Sequence, residues 1–527
     1  MKTQINSICH VRCRFNIKQI FFLLYGTLLG GTSSFANNLQ ITGIAVNQTT
    51  KLVTFTLSWD NSWNVAAAPS NWDAAWVFVK WRFCSSADNV AYTHGTLSAP
   101  LADHSYTNLT AMTSVTGGAV TGSVAQPGPN LDFTDGIMLK PTALATGSIS
   151  SSVSLKVPGL PAAGTDITVS VFGIEMVYVP QNNFSLGDAN GAGSRSTNSF
   201  LSSATPATAV SMSITSAFET AAQTFYVDCP TGTGVTIAGV LAAFPKGQYG
   251  FYIMKYEITE GLYAAFLNAL GWSSTAATAR YPGNYTTDRN QLFGSTPLAY
   301  APYSTSRPDR AQNYLNWADV SAFLDWACLR PMTELEFEKA CRGTTTSVLN
   351  EYAWGSTNIA ASGTITFPAG TVENGTETVI SGNCVFGPFV NGDGGSGPGR
   401  AGLFATAASS NNRSLAGASY YGVMELSGNV TEIVVGMVSP GANNTFTRTW
   451  GDGVITAAGI HDVAGGWPAS AVAVAANSLT NLVGLRGGAP SATAALMVSS
   501  RGYVYRSGFM PPDATIRSLY SGGRGVR

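Results

Sequence analysis

The sequence from Tyr420 to Val435 reads YYGVMELSGNVTEIVV and places a turn between two apolar runs. Its turn is Ser427-Gly428-Asn429, a tripeptide suited to positive φ and to a bend that points carbonyl groups outward. Glu432 follows shortly after this turn. A carboxylate beside such carbonyls offers the all-oxygen ligand set that calcium prefers. The alternative interpretation is an ordinary β-turn followed by a solvated Glu432.

The composition limits the class of protein. A chain of 527 residues is too long for one ordinary core, so we expect two or three domains. Charged residues make up 11%, against roughly 25% in an average soluble protein. Gly, Ala, Ser and Thr replace them, as is common in extracytoplasmic β-rich proteins. The chain has no basic stripe, so we expect no nucleic-acid partner.

The N-terminus has the order of a secretory signal. Basic residues between Lys2 and Lys18 precede an apolar run over 20–29, and Ser34-Phe35-Ala36 supplies a small-residue cleavage site. We therefore predict a signal peptide at residues 1–36 and export to the periplasm, the cell surface or the medium. No later stretch approaches the ~18 apolar residues of a membrane span, so we expect no transmembrane segment in the mature chain.

The cysteines do not form a recognisable metal or redox motif. The predicted mature chain has Cys84, Cys229, Cys328, Cys341 and Cys384, an odd number without a CxxC pair or zinc-like spacing to histidine. We expect buried, unreactive thiols and neither a zinc nor an iron site.

Residues 37–174 read as successive short strands. Apolar and polar residues alternate over 53–59, 76–83 and 167–172, between turns rich in Gly, Ser, Thr and Pro. This pattern predicts an N-terminal β-sandwich-like domain. Its tryptophans could form an aromatic binding face or pack in the interior; they are Trp59, Trp72, Trp76 and Trp81.

The chain from residue 175 to residue 527 resembles the formylglycine-generating, or sulfatase-modifying-factor, family. The resemblance rests on blocks in the family's order: Met176–Pro180 with Phe184–Asp188, Phe251–Thr259, Asn316–Trp326, Arg330–Ala340, Tyr352–Gly355, Gly428–Glu432, Arg486–Gly488 and Gly523–Arg527. Within the fourth block, Thr333 and Glu336 have the spacing of a helix capping box. The resemblance implies an α+β fold in which a C-type-lectin-like domain at 175–527 follows the β-sandwich-like domain.

The sequence departs from the family at the positions that carry its oxidase chemistry. The enzymes of the family use two copper-binding cysteines just after the glycine-glycine strand, but no cysteine follows Cys384 here. Ala489 replaces the family serine after Gly488, and Thr431 and Ile433 replace two signature tryptophans. Soft-metal ligands and a thiolate nucleophile are missing, so we expect neither copper nor formylglycine-generating activity.

The resemblance also implies calcium. In the family one ion lies in the signature loop, and its ligand positions correspond to Ser427, Gly428, Val430 and Glu432. A second ion lies in an upstream loop, for which the best correspondence is Asn383, Cys384, Asp393 and Gly395. The stretch from 391 to 395, NGDGG, could instead be a flexible linker.

Two functional hypotheses follow. The first is a secreted, calcium-stabilised structural or binding module of the cell envelope or surface, a pseudoenzyme that contacts a protein or glycan partner. The alternative is a divergent oxidoreductase of the same family that acts on protein thiols through Cys328, Cys341 or Cys384. Reactivity of these thiols separates the two hypotheses.

Overall fold

The computed structural model describes residues 38–84, 90–113, 134–189, 199–205, 209–228, 235–294, 303–360, 383–387, 395–405, 412–437, 444–471, 482–488, 496–501 and 515–527. It also describes the backbone of three short strands at 8–9, 365–366 and 378–379. Among the residues so described, no helix is long and apolar enough to cross a bilayer.

The strands up to the middle of the chain are β1 (Ile8–Cys9), β2 (Gln40–Asn47), β3 (Leu52–Asn64), β4 (Asp73–Phe83), β5 (Thr93–Gly95), β6 (Ser105–Tyr106), β7 (Leu109–Met112), β8 (Ile137–Pro141), β9 (Ala145–Lys156), β10 (Ile167–Val179), β11 (Phe184–Leu186), β12 (Phe200–Leu201), β13 (Met212–Ile214), β14 (Gln223–Val227), β15 (Val235–Val240) and β16 (Phe251–Met254). The later strands are β17 (Leu292–Gly294), β18 (Tyr303–Thr305), β19 (Arg330–Pro331), β20 (Ile365–Thr366), β21 (Thr378–Val379), β22 (Thr431–Val435), β23 (Val483–Arg486), β24 (Ser521–Gly522) and β25 (Gly525–Val526). The α-helices are α1 (Ser216–Thr220), α2 (Glu260–Ala269), α3 (Thr275–Arg280), α4 (Trp317–Trp326), α5 (Glu334–Arg342) and α6 (Arg413–Ala416).

Strand β10 joins the two halves of the chain. It pairs antiparallel with β4 over Ile167–Val177 and with β16 over Met176–Val179. Strands β4, β10 and β16 therefore belong to one sheet, with the order β19-β25-β16-β10-β4-β8-β7. The domain boundary expected between residues 174 and 175 therefore lies inside a continuous strand, and the sheet passes from one predicted domain into the other.

The alternation along β4 shows how this sheet is buried on both faces. Ala75, Val77 and Val79 pack in a core shared with the four-stranded sheet β2-β3-β9-β6. Trp76 and Phe78 point to the opposite face, into a core that includes residues of α2 and α4. Because successive side chains of a strand point to opposite faces, β4 serves two cores at once. The α+β fold class is confirmed, with a β-rich N-terminal region built from two packed sheets.

The tryptophans of this region are structural. Trp59, Trp72 and Trp76 are buried, and their indole N–H groups donate to Asp73, Tyr252 and the carbonyl of Ala327, respectively. Trp81 is half-buried against the sandwich core. Two of these contacts reach residues after 175, so the tryptophans bind the two halves of the chain together.

Helix α5 begins at the capping residue that the sequence indicates. The capping box at α5 is confirmed: Thr333 Oγ1 accepts from the Glu336 N–H at 3.2 Å, and Glu336 Oε2 accepts from the Thr333 N–H at 3.0 Å. The Glu336 carboxylate also receives the Arg330 guanidinium at 2.6 Å, and all three residues are buried. Thus one motif sets the start of α5 and anchors β19 to it.

The C-terminal residues close the sheet and lead into the candidate site. Strand β25 lies between β16 and β19, while β24 pairs parallel with β22. Strand β22 also pairs with β23, which sets Glu432 opposite Arg486. This arrangement carries Arg524, between β24 and β25, into the interior beside Glu432.

Candidate functional site

The turn that precedes β22 has the backbone its sequence predicts. Gly428 and Asn429 have φ of 94° and 65°, and the Gly428 N–H donates to the carbonyl of Gly487 at 2.8 Å. A Cβ atom on Gly428 would lie 2.1 Å from Cys384 Sγ. Positive φ and this close approach together leave room only for glycine.

Glu257, which lies three residues after the end of β16, holds the turn in place. Its carboxylate accepts from the side-chain amide of Asn429 at 2.5 Å and from the backbone N–H of Val430 at 3.1 Å. Asn429 Oδ1 accepts from the Gly399 N–H at 2.7 Å, so this asparagine bridges two segments. The sequence pattern indicated no role for Glu257, although the residue lies in one of the blocks that carry the family resemblance.

Glu432 lies on β22 and is fully buried, so the interpretation as a solvated surface acid is wrong. Its Oε1 accepts from Arg524 Nε at 2.5 Å. Arg524 also donates to the carbonyls of Met254, Lys255 and Met424. Glu432 Oε2 is buried and has no hydrogen-bond partner among the described residues.

Glu425 adds a third buried carboxylate to this region. Its backbone has φ of 55°, Oε1 accepts from the Gly402 N–H at 2.8 Å, and Oε2 has no partner among the described residues. Burial raises the pKa of Glu425 and of Glu432 to about 7, against the lowering effect of Arg524. Burial likewise raises the pKa of Glu257 well above its ordinary value.

These three acids and Arg524, which we call the Glu432 cluster, meet the first requirement of a cation site. The cluster has more carboxylates than its arginine can neutralise, and two buried carboxylate oxygens remain unpaired within the described residues. Such oxygens are favourable ligands for a hard cation and otherwise retain protons. The donor set therefore fits calcium chemically.

The structure brings Ser427 and Cys384 together. Cys384 Sγ donates to the Ser427 carbonyl at 3.0 Å, so this carbonyl already has a hydrogen-bond donor. Ser427 Oγ donates to the carbonyl of Leu496 at 2.6 Å and accepts from the Ala353 N–H at 3.1 Å. These bonds fix the first turn of the loop independently of any ion.

Asn383 and Gly395, two of the residues expected to bind a second ion, contact different segments of the chain. Asn383 Oδ1 accepts from the Ala360 N–H at 3.0 Å, and its amide donates to the carbonyl of Ser414 at 3.0 Å. Gly395 lies against another segment, because a Cβ there would be 2.7 Å from the Thr287 carbonyl oxygen. Asp393 lies outside the described residues.

Three carboxylates converge at a place that sequence reasoning missed. Asp325 of α4 is buried, Asp452 and Asp462 are exposed, and one carboxylate oxygen of each lies within 4.8 Å of the others. The Asp325 carboxylate accepts from the N–H groups of Asp452 and Asp462 at 3.2 and 3.3 Å. Burial, followed by repulsion from Asp452, raises the pKa of Asp325 to about 8. We call this set the Asp325 cluster.

The thiols have the environment of structural cysteines. Cys328, Cys341 and Cys384 are unpaired and buried, and burial raises the pKa of each above its ordinary value. Cys328 Sγ lies 3.7 Å from His94 Nε2, but burial also lowers the pKa of His94. Neutral imidazole and neutral thiol are therefore favoured together. Cys229 lies outside the described residues.

The arginine of the glycine-glycine strand belongs to a buried ionic network. Arg486 Nη2 donates to Glu338 Oε1 at 2.5 Å, and Glu334 accepts from Arg501 at 2.5 and 2.8 Å. All four side chains are buried. They tie α5 to the chain on both sides of residues 489–495, which lie outside the described residues.

Comparison with known protein families supports the blocks that lie between Phe251 and Arg486. Residues 244–486 match the model of a protein family described as a sulfatase-modifying factor enzyme 1-like domain. No curated protein matches the chain. The matched range begins before β16 and ends with β23, so it includes Glu257, Glu425 and Glu432 but not Arg524.

Proposed function

The chain contains a sulfatase-modifying factor enzyme 1-like domain at residues 244–486, and from this we propose that it is a secreted, non-catalytic, calcium-stabilised module of the cell envelope or surface. A protein or glycan is its partner. The observation that carries the proposal is the Glu432 cluster. Its buried carboxylate oxygens, next to the Gly428 turn, are of the type that binds a hard cation. The chain has no cysteine after Cys384 that could supply the family's oxidase chemistry.

The first ion would be held by Glu432 together with backbone carbonyls of Ser427, Gly428 and Val430. Support comes from the unpaired Glu432 Oε2 and Glu425 Oε2 atoms, since both are buried carboxylate oxygens without a donor among the described residues. A bound calcium ion would supply positive charge there and would keep these acids ionised. Its role in this proposal is to stabilise the fold.

The second ion has support only from the sequence. The Asn383 amide oxygen is engaged by a backbone N–H, and Gly395 packs at Thr287. We therefore base the calcium proposal on Glu432 and test the second position only through the residual calcium response of a Glu432 variant.

Calcium linkage tests the proposal on the chain from Asn37 to Arg527. We expect the melting temperature to rise from chelator to millimolar calcium, since an ion at a hundredfold excess over its Kd adds about 2.7 kcal/mol. Glu432→Gln should remove most of this rise. Asp452→Asn, in the Asp325 cluster, is the matched control and should leave the rise intact. A melting curve that does not respond to calcium would contradict the proposal, and a response lost only in Asp452→Asn would move the ion to the Asp325 cluster.

Export is the second part of the proposal. It is supported by the order of basic, apolar and small residues in 1–36 and is tested by N-terminal sequencing of the protein from its own cells. We expect Asn37 as the first residue. A chain that keeps Met1 in the exported fraction would contradict it.

A divergent oxidoreductase acting on protein thiols is the second candidate function. The approach of Cys328 Sγ to His94 at 3.7 Å is the observation that favours it. Titration of the native chain with a thiol reagent separates the two, because a reactive thiolate reacts rapidly at neutral pH. We expect Cys328, Cys341 and Cys384 to react only on unfolding, and no aldehyde to form on a cysteine-containing sulfatase peptide supplied with copper and oxygen.

A further inference from the structure

A lysine and two acids meet in the interior, where the two halves of the chain join. Asp73 begins β4, Glu175 lies on β10, and Lys255 directly follows β16. Lys255 Nζ lies 3.1 Å from Glu175 Oε2 and 3.5 Å from Asp73 Oδ2. At most 4% of each side chain is exposed. We call these three residues the Lys255 triad.

Backbone pairing holds the triad together. Asp73 is directly opposite Val177 in the β4–β10 pair. Glu175 lies two residues before Val177 and so points to the same face of the sheet as Asp73. On the other side of β10, the Lys255 N–H donates to the Glu175 carbonyl at 2.9 Å. The three side chains are therefore neighbours on one face of a paired sheet.

The triad has more acids than bases. Burial raises the pKa of Asp73 and of Glu175, against the lowering effect of Lys255. Burial also opposes the charge on Lys255, but Tyr256 and the two acids raise the pKa of this lysine overall. One extra proton on an acid gives the buried triad a net charge of zero, which a dry interior favours.

The two carboxyl oxygens of Asp73 have different surroundings. Oδ1 accepts from Ser62 Oγ at 2.7 Å and from the Trp63 N–H at 3.0 Å. Oδ2 accepts from Trp59 Nε1 at 3.0 Å and is the oxygen that faces Lys255. Two fixed donors on one carboxyl oxygen stabilise the negative charge that develops when a nucleophile adds to the carbon. Oδ1 is thus placed to carry that charge, and Oδ2 is placed to leave.

Glu175 has the surroundings of a group that moves protons. Its Oε2 accepts directly from Lys255 Nζ at 3.1 Å. Its Oε1 is buried and has no hydrogen-bond partner among the described residues, unlike Oδ1 of Asp73. Donors therefore prepare the Asp73 carboxyl group, and not that of Glu175, for attack by an amine.

We propose that Lys255 Nζ and Asp73 Cγ form an intramolecular amide bond, with Glu175 as the residue that moves the protons. In the reactive arrangement Lys255 is an ammonium, Asp73 an acid protonated on Oδ2, and Glu175 a carboxylate. Glu175 takes one proton from Nζ, and the nitrogen lone pair then forms the bond to Cγ.

The step balances without an oxidant or a reductant. A further proton of Nζ passes through Glu175 to Oδ2. The Cγ–Oδ2 bond then breaks with its electron pair on oxygen, and one water leaves. The lysine nitrogen keeps one hydrogen, and Glu175 ends as a neutral acid that retains the remaining proton.

The position of the triad favours the bond over the ion pair. Groups held in place react as if at an effective concentration of about 10⁵–10⁸ M. The rings of Trp63 and Tyr256 lie 4.8 and 5.5 Å from Lys255 Nζ and shield it from solvent. A neutral amide also removes the cost of keeping charges buried. The bond closes a covalent loop from Asp73 to Lys255, and such a loop lowers the entropy of the unfolded chain.

Mass spectrometry of the denatured chain over 37–527 tests the bond directly. We expect an intact mass that is lower than the mass of the sequence by one water. Trypsin cuts after lysine and arginine, so we expect residues 52–80 joined to residues 247–280, with no cut after Lys255. Fragmentation of this joined peptide should place the link between Asp73 and Lys255.

The same chain contains an internal control. Lys156 Nζ lies 3.1 Å from Asp103 Oδ2, closer than the two groups proposed to react, but both side chains are part-exposed. We expect no amide there and an ordinary cut after Lys156. The matched variant is Glu175→Gln, which keeps the size of the side chain and removes the proton acceptor. We expect it to form the link about 10²–10⁴-fold more slowly and to retain the mass of its sequence when freshly made.

Three results would contradict the inference. The first is an intact mass equal to that of the sequence, together with a cut after Lys255. The second is a link from Lys255 to residues 157–195, which contain Glu175 and not Asp73. The third is an unchanged rate of linking in Glu175→Gln. The first two need no variant that folds, and none of the three measurements bears on calcium binding or export.

Discussion

The Glu257 carboxylate accepts a hydrogen bond of 2.5 Å from the side-chain amide of Asn429, across 172 residues of sequence. The same carboxylate also accepts from the Val430 N–H. A protein acid thus fixes the signature turn whether or not a cation is bound. Glu257 holds the turn, whereas Glu432 is proposed to bind the ion. We therefore expect substitutions of these two acids to have different effects on stability.

Glu257→Gln should cost less stability than Glu257→Ala. Glutamine keeps one acceptor oxygen but turns its own NH2 toward the other of the two donors, so we expect a loss of about 1–2 kcal/mol. Alanine leaves the Asn429 amide and the Val430 N–H unsatisfied, and we expect a loss of about 2–4 kcal/mol. Urea unfolding of the metal-free chain measures both. Equal losses would show that Glu257 contributes through its charge.

Arg524→Met should be among the most destabilising single changes. The substitution leaves the buried Glu432 carboxylate without the arginine guanidinium that pairs with it, and it removes the hydrogen-bond donor of the Met254 and Met424 carbonyls. We therefore expect the free energy of unfolding to fall by about 3–5 kcal/mol. The matched control is Lys156→Met, which breaks the part-exposed pair with Asp103 and should cost less than about 1 kcal/mol. Adding Glu432→Gln to Arg524→Met should recover part of the loss, and a fully additive double variant would contradict the ion pair.

The metal-free chain should lose stability from the Glu432 cluster as the pH rises from about 5 to about 7.5. The folded-state pKa of Glu425 and of Glu432 is about 7, above the ordinary value of 4.5, so the folded chain binds more protons in this window. Stability from these groups is then complete below the unfolded pKa and lost as the pH passes the folded one. Groups such as His94, whose pKa is lowered, contribute a stability that rises with pH. The quantity to compare is therefore the pH dependence of unfolding free energy in the parent chain and in Glu425→Gln. In chelator, that variant should show a smaller fall with pH than the parent, and an unchanged slope would contradict the assignment.

Gly428→Ala should destabilise the turn beyond the ordinary cost of replacing glycine. The new Cβ would clash with Cys384 Sγ and would also require φ of 94°. We expect a loss above about 2 kcal/mol. Gly159→Ala is the control, because nothing lies within 4 Å of its Cβ position. Adding Cys384→Ala should relieve the clash with Sγ but neither the 2.9 Å approach to the Val385 carbonyl oxygen nor the backbone strain, so partial recovery in thermal melting is expected.

The chain cut at the predicted domain boundary should not fold. A fragment of residues 175–527 would divide β10, remove β4 and leave Lys255 without Asp73, which it approaches to 3.5 Å in the buried interior. We expect aggregation or a non-cooperative melt, whereas the chain from Asn37 should melt cooperatively. A soluble 175–527 fragment that folds cooperatively would support the predicted domain boundary.

The sequence alone determined the features that depend on neighbours along the chain. The capping box of α5, the positive-φ turn at Gly428 and the alternation in the N-terminal strands follow from local propensity, and the ordered blocks indicated the family. Only the tertiary structure decided which acids meet. Glu257, Glu425 and Glu432 come together around Arg524 because β16, β22 and the C-terminal strands belong to adjoining sheets, a pairing that local patterns do not encode. The sequence placed a domain boundary inside β10 because the change of composition within that strand is visible locally. The strands that pair with β10 are not: β4 lies about a hundred residues earlier in the chain, and β16 lies beyond residue 250.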